Sequence, residues 1–139
     1  MITLEDLTKR FGNDELIALT DKTGSGVIDF ERIDEAITDA REEVATYLNA
    51  IGVVQREAGV LVISVQSKAL TIKACDICRY YLYDDGVTEI VRERYNNAIA
   101  WLKLVAKNPA MLGNSEEEES QINSNIFVIP NEKPNEWSE

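Results

Sequence analysis

The stretch Ser67–Tyr83, SKALTIKACDICRYYLY, constrains the fold more than any other part of the chain. Leu70, Ala74, Ile77 and Tyr81 recur at i, i+4, i+7 and i+11, which is helical spacing, and Ala69, Cys78 and Tyr80 extend the apolar surface to flanking rows. A helix that is hydrophobic nearly all round belongs at the centre of a small domain, with other elements covering it on every side. Its charges, Lys68, Lys73, Asp76 and Arg79, mark the side expected to reach solvent or a partner.

The segments around it read as further helices. Thr3 is an N-cap with Asp6 completing a capping box, and Leu4, Leu7 and Phe11 give a short helix that Gly12 stops. Asn13 caps a second short helix, Asp14–Leu19, with Leu16, Ile17 and Leu19 facing inward. After the polar loop Asp21–Asp29, Asp29 caps a long helix whose stripe runs Phe30, Ile33, Ile37, Ala40, Val44, Tyr47 (with Leu48) and Ile51, ended by Gly52. Residues 53–65 are mostly β-branched, and Glu57-Ala58-Gly59 can turn. A short β-hairpin over 53–63 and a buried extended connection both fit that pattern. The central helix follows, capped by Ser64 or Ser67 and broken by Asp84-Asp85-Gly86. Thr88 then caps a last helix to about Lys107, with Ile90 or Val91, Tyr95, Ala98, Leu102 and Val105 inward and Trp101 beside them.

The expected fold is therefore mainly α: a compact bundle of two short and three long helices, with an extended C-terminal tail. The bundle is expected over residues 1–109. Residues 110–139 form an acidic tail whose apolar run Ile126-Phe127-Val128-Ile129 needs a surface to cover it, on its own domain or on a neighbour.

Charge narrows the function. The formal net charge is −11, which argues against a protein that grips nucleic acid. Residues 110–139 hold seven acids and one lysine, net −6, so the acidity is concentrated in the tail. The chain has no histidine, the commonest general base and metal ligand. No apolar run is long enough to span a bilayer. MITLEDLTKRF lacks the basic and apolar regions of a signal peptide, so a reducing cytoplasm is the expected environment.

Four features invite a chemical reading. With Asp21 as position 1, Thr23, Ser25 and Asp29 fall at ligand positions of a calcium-binding EF-hand loop and Gly26 at its sharp turn. Position 12, which should be a bidentate Glu, is Arg32, a cation that opposes binding. A glycine-permitted corner with Asp29 as N-cap explains the same residues, and no metal site is assigned. Cys75 and Cys78 form a Cys-x-x-Cys, but it lies two turns into a helix. A redox pair belongs at a helix N-terminus, and one chain offers too few ligands for zinc. Packing as small hydrophobes is the preferred reading. The acid pairs Asp84/Asp85 and Glu42/Glu43 read as caps or solvated faces. The cluster Tyr80, Tyr81, Tyr83 and Tyr95 reads as core or interface packing rather than base stacking. No catalytic residue and no cofactor are assigned, and the protein is not expected to be an enzyme.

An ordered combination of segments resembles one family. TLEDLTKRFGNDELIALTD, a Gly-rich turn ending in Ile-Asp, IDEAITDAREEVATYL, ACDICRYYLYDD and VRERYNNAIAWLKLVAKN together are similar to the Mu-type phage and prophage neck, or minor head, proteins, over about residues 2–108. The chain departs from that pattern at VVQREAGVLVIS, where the family usually carries proline. The resemblance implies a head–tail connector or adaptor: a subunit that forms a ring or other homo-oligomer, meets portal and tail-completion proteins, and lets DNA pass without binding it specifically. It implies no membrane partner, a place at the head–tail junction of the virion, and the bacterial host cytoplasm before assembly. Two alternatives from other classes are a small calcium- or ligand-responsive helical module and an adaptor for a host protein.

Overall fold

The structure, a computed structural model, describes residues 1–83 and 86–113. Two short helices open the chain, α1 (Leu4–Phe11) and α2 (Asn13–Thr20). The long α3 (Phe30–Leu48) follows and runs into a 3-10 turn at Asn49–Ile51. A hairpin of β1 (Val54–Glu57) and β2 (Val60–Ile63) leads to α4 (Lys68–Leu82), and α5 (Glu89–Lys107) ends in a second 3-10 turn, Pro109–Leu112.

Local chemistry sets these boundaries. Thr3 Oγ1 accepts from the Asp6 amide while the Asp6 carboxylate accepts from the Thr3 amide, so both halves of the expected capping box form. Asp29, Ser67 and Thr88 cap α3, α4 and α5 through their side chains. Ser67, not Ser64, is the cap of α4; Ser64 instead binds the Val53 carbonyl at the base of the hairpin. Gly52 adopts the left-handed conformation, φ 77°, that ends the α3 segment. The second helix differs from expectation by one residue at each end. Gly12 rather than Asn13 is its N-cap and makes no side-chain hydrogen bond, while Thr20 extends it by bonding the Leu16 carbonyl.

Residues 53–63 form the hairpin, antiparallel with Val54 opposite Ile63 and Glu57 opposite Val60. Ala58 and Gly59 make its two-residue turn with φ of 53° and 83°. Two positive φ values mark the turn whose twist matches paired strands, and it favours Asn-Gly. Alanine there carries a steric penalty that asparagine relieves. Ala58→Asn is expected to stabilise the protein by about 0.5–1 kcal/mol, read as a higher denaturant midpoint at unchanged slope.

The central helix is where the sequence puts it. α4 packs against α3 and α5, α3 against α5, and α1 also reaches α4. Leu70, Ala74, Cys75, Ile77, Cys78 and Leu82 are all buried on it. From α3 come Ile33, Ala36, Ala40, Val44 and Leu48, and from α5 Ala98, Leu102 and Val105. One stripe assignment is corrected. Phe30 is 59% exposed because it sits on the first turn of α3, where no other element reaches it. On α5, of Ile90 and Val91, it is Val91 that faces inward, and Ile90 is 60% exposed. Leu112 joins the core, so packing continues past the expected domain boundary at 109. The acidic pair Asp84/Asp85 and the run Ile126–Ile129 lie outside the described residues.

Candidate functional site

The charges of α4 do not simply face solvent. Asp76 is only 5% exposed, and its carboxylate accepts from Nε and Nη2 of Arg10 on α1 at 3.3–3.4 Å. Arg79 donates to Glu15 on α2 at 2.7 Å. Its guanidinium lies 4.6 Å from the Phe11 ring centroid, and that of Arg10 lies 5.7 Å from it. These contacts tie α1 and α2 across the side of α4 that α3 and α5 leave uncovered. Of the side expected to reach solvent or a partner, Asp76 and Arg79 meet α1 and α2 of the same chain. A helix apolar nearly all round must be covered all round, so its few charges need partners from the covering helices.

A second polar junction ties the three long helices together. The Glu43 carboxylate on α3 accepts from the Tyr81 hydroxyl on α4 and, at 3.1 Å, from the Tyr95 hydroxyl on α5. Tyr80 stacks on Tyr95 with ring centroids 4.0 Å apart and an interplanar angle of 16°. The tyrosines therefore pack helix to helix, as expected of them. Burial and the neighbouring carboxylate push the Tyr95 phenol up to about 12 and raise that of Tyr81 as well. A phenol whose folded pKa exceeds its unfolded value near ~10 stabilises the fold fully below that value. The contribution is lost as pH rises from there through about 12. Stability is expected to fall over that window, in step with tyrosinate absorbance. The Tyr81→Phe/Tyr95→Phe variant should show a shallower decline.

Arg41 and Glu42 hold the hairpin to α3. Arg41 Nη2 donates to the Leu61 carbonyl at 3.0 Å, and Glu42 pairs with Arg56 at 2.6 Å. None of these long-range polar pairs was assigned from sequence, because nothing in local spacing signals a partner tens of residues away.

The Asp21 loop is organised around its own carboxylate. Asp21 accepts from the amides of Thr23, Ser25 and Gly26, the last at 2.7 Å, and from the hydroxyls of Thr23 and Ser25. Those hydrogen bonds, that from Gly26 foremost, hold its pKa below the usual carboxylate value. Asp29 accepts from the amides of Glu31 and Arg32 as the cap of α3. Arg32 Nη2 reaches away to the Tyr81 carbonyl at 3.0 Å. Thr23, Ser25 and Asp29 are thus drawn into hydrogen bonds of the corner itself, and the twelfth position points a cation at α4. Among the described residues no group of three or more acids, cysteines or histidines could hold a metal ion.

Cys75 and Cys78 are free thiols buried in α4, and desolvation pushes both up to about 12. The folded protein is expected to resist a disulfide-exchange reagent at mildly alkaline pH, with both thiols reacting once denaturant is added. Fast reaction of the native chain would contradict this packing.

Three concave surfaces lie away from the Asp21 loop. One cleft of about 380 Å³ lies between Met1, Asp6, the start of α4 and Leu112–Gly113. Two grooves follow the outer side of α3 and share Asp39: Glu31, Asp34, Glu35 and Thr38 line one, and Glu42, Glu43, Thr46 and Tyr81 the other. Among the described residues no helix is long and apolar enough to cross a membrane.

A helical body with a small hairpin, braced by polar pairs between its helices and bearing an acidic outer ridge, is the class of protein defined here. The family model described as Bacteriophage Mu, Gp36 matches residues 2–129, and the chain belongs to that family. A relative, the Mu-like prophage FluMu protein gp36 of Haemophilus influenzae, is 26% identical over 121 residues, covering 87% of this chain and 81% of its own length. This is a Mu-type phage protein. The match runs further than the sequence resemblance to residue 108 and takes in the Ile126–Ile129 run.

Proposed function

We propose that the protein is a structural subunit of the phage head–tail junction, a neck or head-completion protein that joins portal to tail around the DNA channel, and not an enzyme. Membership of the Mu Gp36 family carries this reading. Its partners are then copies of itself in a ring, the portal and the tail-completion proteins. The net charge of −11 suits a channel wall, since acidic surfaces repel phosphate and let DNA slide where basic ones would hold it. Ile126, Phe127, Val128 and Ile129 serve as the assembly anchor, an apolar run that a neighbouring subunit covers.

The test is deletion from an inducible phage. Filled heads and separate tails should accumulate, and supplying the protein in trans should join them. Infectious particles made without it would overturn the proposal. A chain ending at Gly113 should keep the helix content and melting temperature of the full protein, because Leu112 remains in the core. It should fail to complement the deletion if the anchor works as proposed.

A further inference from the structure

The outer face of α5 has no covering element among the described residues. Ile90, Asn97 and Leu104 recur seven apart along it, with Ala100 between, and all four are exposed. Ile90 is 60% and Leu104 55% exposed, the spacing of a helix–helix seam rather than of scattered surface residues. Glu93 lies on the seam between Ile90 and Asn97, and Glu89, Arg94, Lys103 and Lys107 flank it, all exposed; no ion pair engages Arg94, Lys103 or Lys107 among the described residues.

The outer face of α3 is its electrostatic complement. Glu31, Asp34, Glu35, Asp39 and Glu42 follow one another up the exposed ridge at helical spacing, with no base among them. Glu31, Asp34 and Asp39 have no ion-pair partner among the described residues. Phe30 adds an exposed apolar group at the start of the ridge. Because α3, α4 and α5 pack pairwise, the outward faces of α3 and α5 lie on different sides of the bundle. The two faces of one chain therefore cannot meet each other.

We propose that α5 of one copy docks on α3 of the next, seating the Ile90–Leu104 seam against the acidic ridge with Arg94, Lys103 and Lys107 facing Glu31, Asp34 and Asp39. Such a contact joins two different surfaces head to tail, and its repetition closes a ring when the rotation permits. The inference deepens the ring-forming part of the function proposed above and names its interface.

The test uses full-length protein with sedimentation at low ionic strength and high concentration. The parent chain should self-associate, more weakly as salt rises. The ridge variant Glu31→Lys/Asp34→Lys/Asp39→Lys and the seam variant Arg94→Glu/Lys103→Glu/Lys107→Glu should each keep the parent's circular dichroism and associate at least roughly a hundredfold less. Mixed in equal amounts they should reassociate, since each then offers a complementary face to the other. A parent that stays monomeric, variants that associate like the parent, or a mixture of folded variants that stays apart would each overturn this interface. None of those results bears on the head–tail reading, which the deletion tests separately.

Discussion

Replacing Ile77 by alanine is expected to lower the folding free energy by about 3–4 kcal/mol. Ile77 is fully buried at the middle of α4, where α3 and α5 both pack. Truncation there removes most of a branched side chain from the helix that α1, α3 and α5 all contact. Ala74 sits one turn away on the same helix, and the core it shares with α3 and α5 also holds Ala40 and Ala98, all of them buried. Alanine side chains cannot swing in to fill space, so little collapse is available to offset the loss. Equilibrium unfolding should show a lower denaturant midpoint with unchanged slope. A loss below about 1 kcal/mol would mean that α4 is not the tightly packed centre, because such values belong to sites that relax or are partly exposed.

Removing Arg10 is the second large effect, and it acts through charge. Arg10→Met leaves the Asp76 carboxylate buried without its partner, which is expected to destabilise the fold by about 2–3 kcal/mol. The same pair predicts a rescue. Arg10→Met combined with Asp76→Leu removes both charges and leaves apolar groups between α1 and α4. Replacing a whole buried ion pair by apolar residues is often neutral. The double variant should therefore be more stable than Arg10→Met alone. If the two substitutions simply add, Asp76 is not held by Arg10, and the bracing of α1 against α4 rests on packing alone.

How much of this was legible from sequence differs by level. Periodicity placed the three long helices because each carries a stripe or an all-round apolar surface several turns long; caps at Asp29 and Thr88 fixed the starts of α3 and α5, while Ser64 and Ser67 both fitted as the cap of α4. The hairpin stayed ambiguous, since β-branched residues beside a Glu57-Ala58-Gly59 turn fit both a strand pair and a buried connection. The side-chain hydrogen bonds that fix it, from Ser64 to the Val53 carbonyl and from Arg41 to the Leu61 carbonyl, have donors outside the strands. An end residue misled one stripe assignment. Phe30 obeys helical spacing yet is exposed on the first turn of α3, and on α5 spacing left Ile90 and Val91 both open, of which Val91 is the buried one. The polar pairs Arg10–Asp76, Glu15–Arg79 and Glu43 with its two tyrosines were invisible because sequence spacing carries no information about distant partners. The EF-hand-like loop was legible through Arg32, whose charge at the twelfth position already pointed to a corner.

Electron microscopy of mature particles carrying a tag on this protein tests its place at the head–tail junction most directly. A ring of label and density is expected between the portal and the tail, and nowhere else on the particle. Label on the capsid shell or the tail tip, or none on the particle, would contradict it.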